Sequence, residues 1–468
     1  MYFRKKSTFL ALKICILHFL ELFLYIKLHK LLTKQTNQRR IMILQFKVKN
    51  YRSIRDEQSI SFETTKDRTN RDLLAVEVKP NLYINKLGIF YGANASGKSN
   101  MIEAMTCLFI MMVVPAKEQD MPIKSYIPFA LNDGEPTSFD ITFFRKGIQY
   151  DYSILYNRTQ VLKEELYYYP GRSRALFYSR NAVENGTQPK VDFGSSLKLS
   201  AKSKQTLREN TYNNHTVLST TNKITLKDDA ASFIELYEWL LFNVNLDFRE
   251  YKEHNMVAEM SNVISDADKK EFYINMLKKS DFNITNFDIV DKNHLYSQKM
   301  LDMIKSLPEE QQMSMIKDVA YTSHTVNGDF QLPSELQSKG TLKYTELLDD
   351  LYEAITGDHI YLFDEIGVRL HSALTEYYID LFLRNSNQSQ MFFTTHNILL
   401  LEAEFIRRDV VYLTEKNRDT AESEYKRVSD MGLHKNLSLY HAYKQGKLGA
   451  IPSLGSPYIV RKTGNNCK

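Results

Sequence analysis

Residues 87–99 read Leu87-Gly88-Ile89-Phe90-Tyr91-Gly92-Ala93-Asn94-Ala95-Ser96-Gly97-Lys98-Ser99. The apolar run Leu87 to Tyr91 predicts a short buried strand. Asn100 to Met112 is apolar nearly all round, which predicts a buried helix. Between them, Gly92 to Ser99 has the spacing G-x-x-x-x-G-K-S of a phosphate-binding loop. The residue types suit that chemistry. Glycine lets the backbone curl, so that the N–H groups of Gly92, Ala93, Asn94, Ala95, Ser96 and Gly97 can face phosphate oxygens. The helix that follows adds the positive end of its dipole. Lys98 would reach the terminal phosphates, and the Ser99 hydroxyl would ligate Mg²⁺. ATP and Mg²⁺ are the expected ligands.

Outward from this loop, three further stretches carry chemistry. Ile360-Tyr361-Leu362-Phe363-Asp364-Glu365 is an apolar strand that ends in two acids. Asp364 fits a Walker B carboxylate holding Mg²⁺ through water. Glu365 suits the group that positions or deprotonates the attacking water. Thr394-Thr395-His396 follows another apolar strand, Met391 to Thr395, and His396 there can bond a γ-phosphate or the same water. Ser338-Lys339-Gly340-Thr341 opens a helix over Leu342 to Ile355. Ser338 and Gly340 read either as a plain N-cap or as a second anion cradle. One nucleotide cannot easily use two cradles on one chain. The second reading therefore predicts a homodimer with composite ATP sites, in which this element caps ATP held by the other copy.

The remaining pattern fills in an α/β chain. Met42 to Lys49 reads as an opening strand. Phe139 to Phe144 and Gln149 to Leu155 read as a hairpin about Lys146-Gly147. Glu164 to Tyr169 and Ala175 to Tyr178 add strands. Asp229 to Val244, Met256 to Ile264 and the capped run from Ser265 through Lys279 have helical period. Past residue 335, strand and helix alternate as in a parallel sheet, with Val410 to Glu415 and Glu424 to Val428 as closing strands. Four segments are expected. Residues 1–41 form a leader, 42–225 an N-lobe with the phosphate loop and an antiparallel β lobe, 226–330 a mostly helical insertion, and 331–468 a C-lobe.

The 468 residues carry a net charge of +5, with 25% charged and 43% hydrophobic residues. That composition excludes a disordered chain and a polytopic membrane protein. Residues 1–41 hold nine Lys or Arg and one acid, leaving 52 basic and 55 acidic residues, a net of −3, in 42–468. The body has no overall basic bias toward nucleic acid. Within the leader, Thr8 to Leu32 is apolar but interrupted by Lys13, His18, Glu21 and Lys27. It reads as an interfacial or spanning membrane helix, as a helix docked on a partner, or as upstream DNA translated from a misplaced start. The last is preferred, because a patterned strand begins at Met42, and a membrane role is not expected. Cys15, Cys107 and Cys467 form no C-x-x-C pair, which fits a reducing, cytoplasmic setting.

These parts in this order resemble the ABC-class ATPase heads of the SMC, RecF and overcoming-lysogenization-defect families. The resemblance runs from Met42 to the C-terminus and is sharpest at Asn50-Tyr51-Arg52-Ser53, Gly92 to Ser99 and Asp364-Glu365. The late run Tyr443-Lys444-Gln445-Gly446-Lys447-Leu448-Gly449-Ala450-Ile451-Pro452 is similar to the tail of stand-alone bacterial AAA-domain proteins of phage-defence operons. The resemblance implies a P-loop NTPase head of ABC type. It makes Ser338 and Gly340 the signature that acts across the dimer, and His396 the switch histidine. Three departures bear on turnover: Arg369-Leu370-His371-Ser372 where the family has Ser-Leu-His-Pro, Gly367-Val368 at the polar D-loop position, and Lys339 within the signature. From Lys98 to Asp364 is 266 residues without a long coiled coil, and only 72 residues follow His396. That argues against a true SMC protein and against a fused nuclease. The expected function is an ATP-driven switch in an anti-phage, abortive-infection system that controls a separate effector, a nuclease or toxin from the same operon. The alternative is a RecF-like ATPase that binds DNA directly, with Lys269-Lys270 and Lys278-Lys279 as candidate contacts.

Overall fold

The computed structural model describes residues 41–184, 188–226, 230–246, 256–307, 309–434 and 436–452. The expectations for the leader fall on residues 1–40, outside the described residues. Among the described residues no helix is long and apolar enough to cross a membrane.

Alternating apolar residues build the first layer. Strands β1 (Ile41–Lys49), β2 (Gln58–Ser61), β3 (Ala75–Lys79), β4 (Leu82–Asn85) and β5 (Leu87–Gly92) open the chain. Then follow β6 (Thr137–Arg145), β7 (Ile148–Tyr156), β8 (Val161–Tyr168), β9 (Ala175–Asn181) and β10 (Lys190–Phe193). Seven of these form one antiparallel sheet in the order β10-β9-β8-β7-β6-β1-β2. The β6–β7 turn falls on Lys146-Gly147, both with positive φ, as a two-residue hairpin requires.

The second layer is a six-stranded sheet that adds β11 (Val244–Leu246), β15 (Ile360–Phe363), β16 (Gln390–Thr394), β17 (Val411–Lys416) and β18 (Ser423–Arg427). Its order is β11-β15-β16-β5-β17-β18, parallel except for β18. Strands β5, β15 and β16 are buried along their whole length because both faces are covered. Phe90, Ile360, Leu362, Phe392 and Tyr412 enter one core with the antiparallel sheet. Ile89, Tyr91, Tyr361, Phe363, Met391, Phe393 and Leu413 enter a second core on the opposite face.

Among the described residues seven helices have ten residues or more: α1 (Lys98–Val113), α2 (Ala201–Asn210), α3 (Ala231–Asn243), α4 (Met256–Ser265), α5 (Ala267–Lys279), α6 (Lys339–Thr356) and α7 (Ser372–Asn385). Helix α1 lies in the first core, which is why it is apolar all round. Helix α3 joins it there, with Trp239 stacked on Phe143 at 5.8 Å, and β11 leads straight from α3 to the edge of the parallel sheet. The helical period read through Val244 hides that strand.

Beyond residue 255 the helices expected of the insertion are present. They share it with a three-stranded antiparallel sheet, β12 (Ile284–Asp291), β13 (Lys317–Thr325) and β14 (Gly328–Pro333). Helix still holds the larger share of the segment, so it is mostly helical with a small sheet added. Strand β14 is exposed along most of its length, so it has no alternating apolar face to read.

Candidate active site

Strand order decides what meets at the carboxyl edge of the parallel sheet. Strand β16 lies between β5 and β15. The residues that follow these three strands are Gly92 to Ser99, Thr395-His396 and Asp364-Glu365, so three distant stretches arrive side by side.

The phosphate-type loop is held in a fixed curl. Ala95 and Gly97 both have positive φ, at 61° and 105°. A Cβ on Gly97 would collide with the side chains of Ser423 and Ser53 as well, so only glycine fits. A hydrogen-bond relay clamps the curl from outside. Asn100 Nδ2 donates to Ser53 Oγ at 2.5 Å, Ser53 Oγ meets Ser423 Oγ at 2.6 Å, and Ser423 Oγ donates to the Ser96 carbonyl at 2.6 Å. Tyr425 OH donates to the Gly97 carbonyl at 2.6 Å. Ser53 belongs to the Asn50–Ser53 turn after β1. Asn50 is fully buried there and donates to the Glu135 carbonyl at 2.8 Å, and its Oδ1 accepts from Phe129 N at 3.0 Å.

Lys98 opens α1 and is 6% exposed. Its Nζ donates to the carbonyls of Gly92 and Ala93, each at 3.0 Å. Burial lowers its pKa from the ordinary lysine value, and Glu365 and Asp364 oppose that fall. Ser99 Oγ donates to Asp364 Oδ1 at 2.9 Å, and Thr394 Oγ1 donates to the same oxygen at 2.5 Å. Thr394 Oγ1 also accepts from Glu365 N at 2.8 Å. Glu365 has φ 52°, a left-handed conformation rare outside glycine, of the kind that costs about 1–3 kcal/mol and clusters at functional sites. His396 Nε2 lies 3.4 Å from Glu365 Oε1. Burial lowers the His396 pKa below the ordinary histidine value, with Lys98 adding to the fall and Glu365 and Asp364 opposing it. The neutral imidazole is thus favoured, with its Nε2–H turned to the Glu365 carboxylate and Nδ1 left as an acceptor.

The model of a protein family described as "AAA domain, putative AbiEii toxin, Type IV TA system" matches residues 89–402. The chain belongs to that family. The match begins inside β5, before the phosphate-type loop, and ends beyond His396. No curated protein matches the chain significantly. Among solved structures, the chain is similar to an SMC head domain from Thermotoga maritima at 12% identity and TM-score 0.38, covering 82% of this chain and 98% of that one. An Smc head domain with an extended coiled coil, bound to the C-terminal domain of ScpA derived from Pyrococcus furiosus, gives 14% identity and TM-score 0.38 over 87% and 99%.

The donor set of this family member fits a nucleotide with Mg²⁺. The loop glycine cannot be replaced sterically, a buried ammonium sits at the loop's centre, and a hydroxyl and a carboxylate meet at 2.9 Å beside it. No group of three or more His, Cys, Asp or Glu able to hold a metal occurs among the described residues. Mg²⁺ is commonly held by one or two protein oxygens together with substrate phosphates, and Ser99 and Asp364 could supply them. Ser338 and Gly340 lie elsewhere. Ser338 Oγ caps α6 by accepting from Thr341 N at 3.0 Å, and a Cβ on Gly340 would stand 3.0 Å from the Arg369 carbonyl. The signature-like element thus adjoins the loop after Asp364-Glu365, and no hydrogen bond joins it to residues 92–99 among the described residues.

Three contributors were not singled out from the sequence: Thr394 as the hydroxyl shared by Asp364 and Glu365, Ser423, and Tyr425. Ser423 and Tyr425 have no local signal, since they act only because β18 pairs beside the loop. The tail motif also bears on this edge. Tyr443 packs on Tyr91 with ring centroids 5.9 Å apart, and Ala450 N donates to Glu415 Oε1 at 2.8 Å.

Proposed function

We propose that this chain binds ATP with Mg²⁺ at Gly92 to Ser99 and Asp364 and hydrolyses it to ADP and phosphate. The observation that carries the reading is the convergence of Ser99, Asp364, Glu365 and His396 at the ends of adjacent parallel strands. Ser99 and Asp364 would hold Mg²⁺, which when bound neutralises charge on the phosphate oxygens. Lys98 brings a buried cation to the terminal phosphate. Glu365 takes a proton from the attacking water, or orients it, while the water oxygen bonds to the γ-phosphorus and ADP departs. Neutral His396 holds Glu365 and the water in line.

The same reading makes the active form a homodimer. Ser338 and Gly340, with the N-terminus of the 18-residue helix α6, would cap the nucleotide bound by the other copy. ATP then bridges two heads, and hydrolysis removes the bridge, so the nucleotide state sets an open or closed assembly. The family's description as a putative AbiEii toxin of a type IV toxin–antitoxin system supports a role of the abortive-infection kind, and the proposal adds that the chain is a cytoplasmic switch acting on a separate effector protein. The direct DNA-binding alternative loses part of its motivation. Lys269 is paired with Asp349, and Lys270 with Asp288 at 2.9 Å, so two of the four candidate cations are already paired.

The test is the Glu365→Gln protein. It should retain ATP affinity within about threefold and lose roughly 10²-fold or more in turnover, the usual weight of a general base. Unchanged turnover would remove Glu365 from the mechanism. Loss of nucleotide binding in both wild type and variant would overturn the reading as a whole.

A further inference from the structure

A cavity of about 300 Å³ opens on the flank of α1 away from the phosphate-type loop. Thr106, Cys107, Ile110 and Met111 of α1 line its floor, at the three- and four-residue spacing that puts side chains on one helix face. Ile123 and Pro122 close the far wall. The walls are tied down, so the space is pre-formed. Asn214 Nδ2 donates to the Glu118 and Met121 carbonyls at 2.8 Å each, and Thr216 Oγ1 donates to the Met111 carbonyl at 2.8 Å.

The lining is mostly apolar, yet its charged members are unequal. Arg52, Lys117 and Lys124 bring three cations, and Glu103 is the one carboxylate among the lining residues. Arg52 Nη1 pairs with Glu103 Oε2 at 2.6 Å, and the exposed Lys124 puts a cation at the border. His215 adds no charge, since burial pushes its pKa down to about 3. An apolar chamber with a cationic border and a volume at the low end of ligand sites fits a small molecule with an apolar body and one acidic group.

Two elements are shared by this cavity and the nucleotide-type loop. One is α1, whose N-terminus is Lys98. The other is the turn containing Arg52 and Ser53: Arg52 borders the cavity, and Ser53 sits in the relay that fixes Ser96 and Gly97. We propose that the cavity is a regulatory site for a small amphiphilic anion, and that its occupancy shifts the affinity of the loop for nucleotide through α1 and the Asn50–Ser53 turn. Binding in the cavity stands apart from the nucleotide reading, and only the coupling rests on it.

The probe is 8-anilinonaphthalene-1-sulfonate, an apolar bicycle with one sulfonate, titrated into the full chain and followed by fluorescence. Saturation at one site per chain is expected. Thr106→Trp, which fills the floor, should weaken binding at least tenfold. Lys124→Glu, at an exposed border position, should weaken it several-fold and decides the matter should the tryptophan variant fail to fold. Lys98→Ala should leave dye binding intact. Dye affinity unmoved by both cavity substitutions, or lost with Lys98→Ala, would overturn the site. For the coupling, saturating dye should change ATP affinity at least threefold in either direction, with the reciprocal change in dye affinity that linkage demands. Equal ATP affinities with and without dye would overturn the coupling and leave the site standing. A chain that binds dye but no ATP would overturn the nucleotide reading alone.

Discussion

Thr394 shows how much one hydroxyl can organise. It donates to Asp364 Oδ1 and accepts from Glu365 N, so it sets both the carboxylate proposed for Mg²⁺ and the backbone turn that presents the proposed base. Thr394→Val keeps the shape and removes both bonds. Apparent Mg²⁺ affinity in the ATPase assay should fall about 10–100-fold, the usual cost of losing a group that orients a metal ligand. His396 carries a pH prediction. Its pKa lies below the ordinary histidine value because burial and Lys98 disfavour the cation. The neutral imidazole is therefore favoured, and the ring gains its proton further to the acid side than an ordinary histidine does. Turnover should be level from pH 7 to 8 and decline on the acid side. In His396→Asn, turnover should be lower throughout and that decline should vanish. An identical acid limb in the variant would assign it to another group. The phosphate-type loop, Asp364, Glu365 and His396 were all legible in the sequence, because each is a local string whose chemistry follows from residue type and spacing.

The antiparallel lobe is stapled to the chain beyond it by a buried charge cluster. Glu164 and Arg180 are both fully buried. Glu164 accepts from Tyr178 OH at 2.6 Å, Tyr152 OH at 3.1 Å and Val217 N at 3.0 Å. Arg180 Nη2 donates to the Tyr212 and Asn213 carbonyls at 2.9 and 2.8 Å. These bonds position residues 212–217, whose Thr216 in turn bonds the last turn of α1. Arg180→Met would remove both bonds to these carbonyls and the nearby charge that favours ionised Glu164, and buried groups left unpaired cost about 1–3 kcal/mol. Urea unfolding should show that loss, and a midpoint equal to the wild type's would contradict the staple. None of this was visible in the sequence. Glu164 opens the strand read at Glu164 to Tyr169 and Arg180 lies beyond the one read at Ala175 to Tyr178, so nothing local marks either as buried, and the packing of residues 212–217 against the sheet covers them. The tail was half legible. Its glycine spacing stood out, and the structure supplies the reason at Gly449: φ is +68°, and a Cβ there would run into the Glu415 carboxylate.

Across the whole molecule, two cores share one parallel sheet, and the edge where its strands end gathers residues from both ends of the chain. The proposed dimer belongs at this level. Ser338 adjoins the Arg369 loop and shares no hydrogen bond with residues 92–99 among the described residues. Its proposed role therefore needs a second copy. Glu365→Gln should elute as a dimer with ATP and as a monomer without it. Adding Ser338→Arg should abolish the ATP-dependent dimer while leaving ATP affinity within about threefold. A Glu365→Gln protein that stays monomeric at saturating ATP would sink the composite site, and the Ser338 N-cap would then be only structural.

Local strings determined the residues proposed for nucleotide chemistry, the apolar strands, the hairpin at Lys146-Gly147 and most helices, because steric preference, capping and period are properties of adjacent residues. Which strands lie side by side is decided by packing between residues far apart in the chain. Insertion of β16 between β5 and β15 brings His396 and Thr394 to Asp364-Glu365. The Ser53–Ser423 bond that fixes the phosphate-type loop spans 370 positions. The β12–β14 sheet and the edge strand β11 likewise owe their existence to pairing partners rather than to pattern. Such contacts carry no mark in the neighbouring sequence, since a serine that closes a relay and a serine that faces water are chemically the same until the fold brings their partners together.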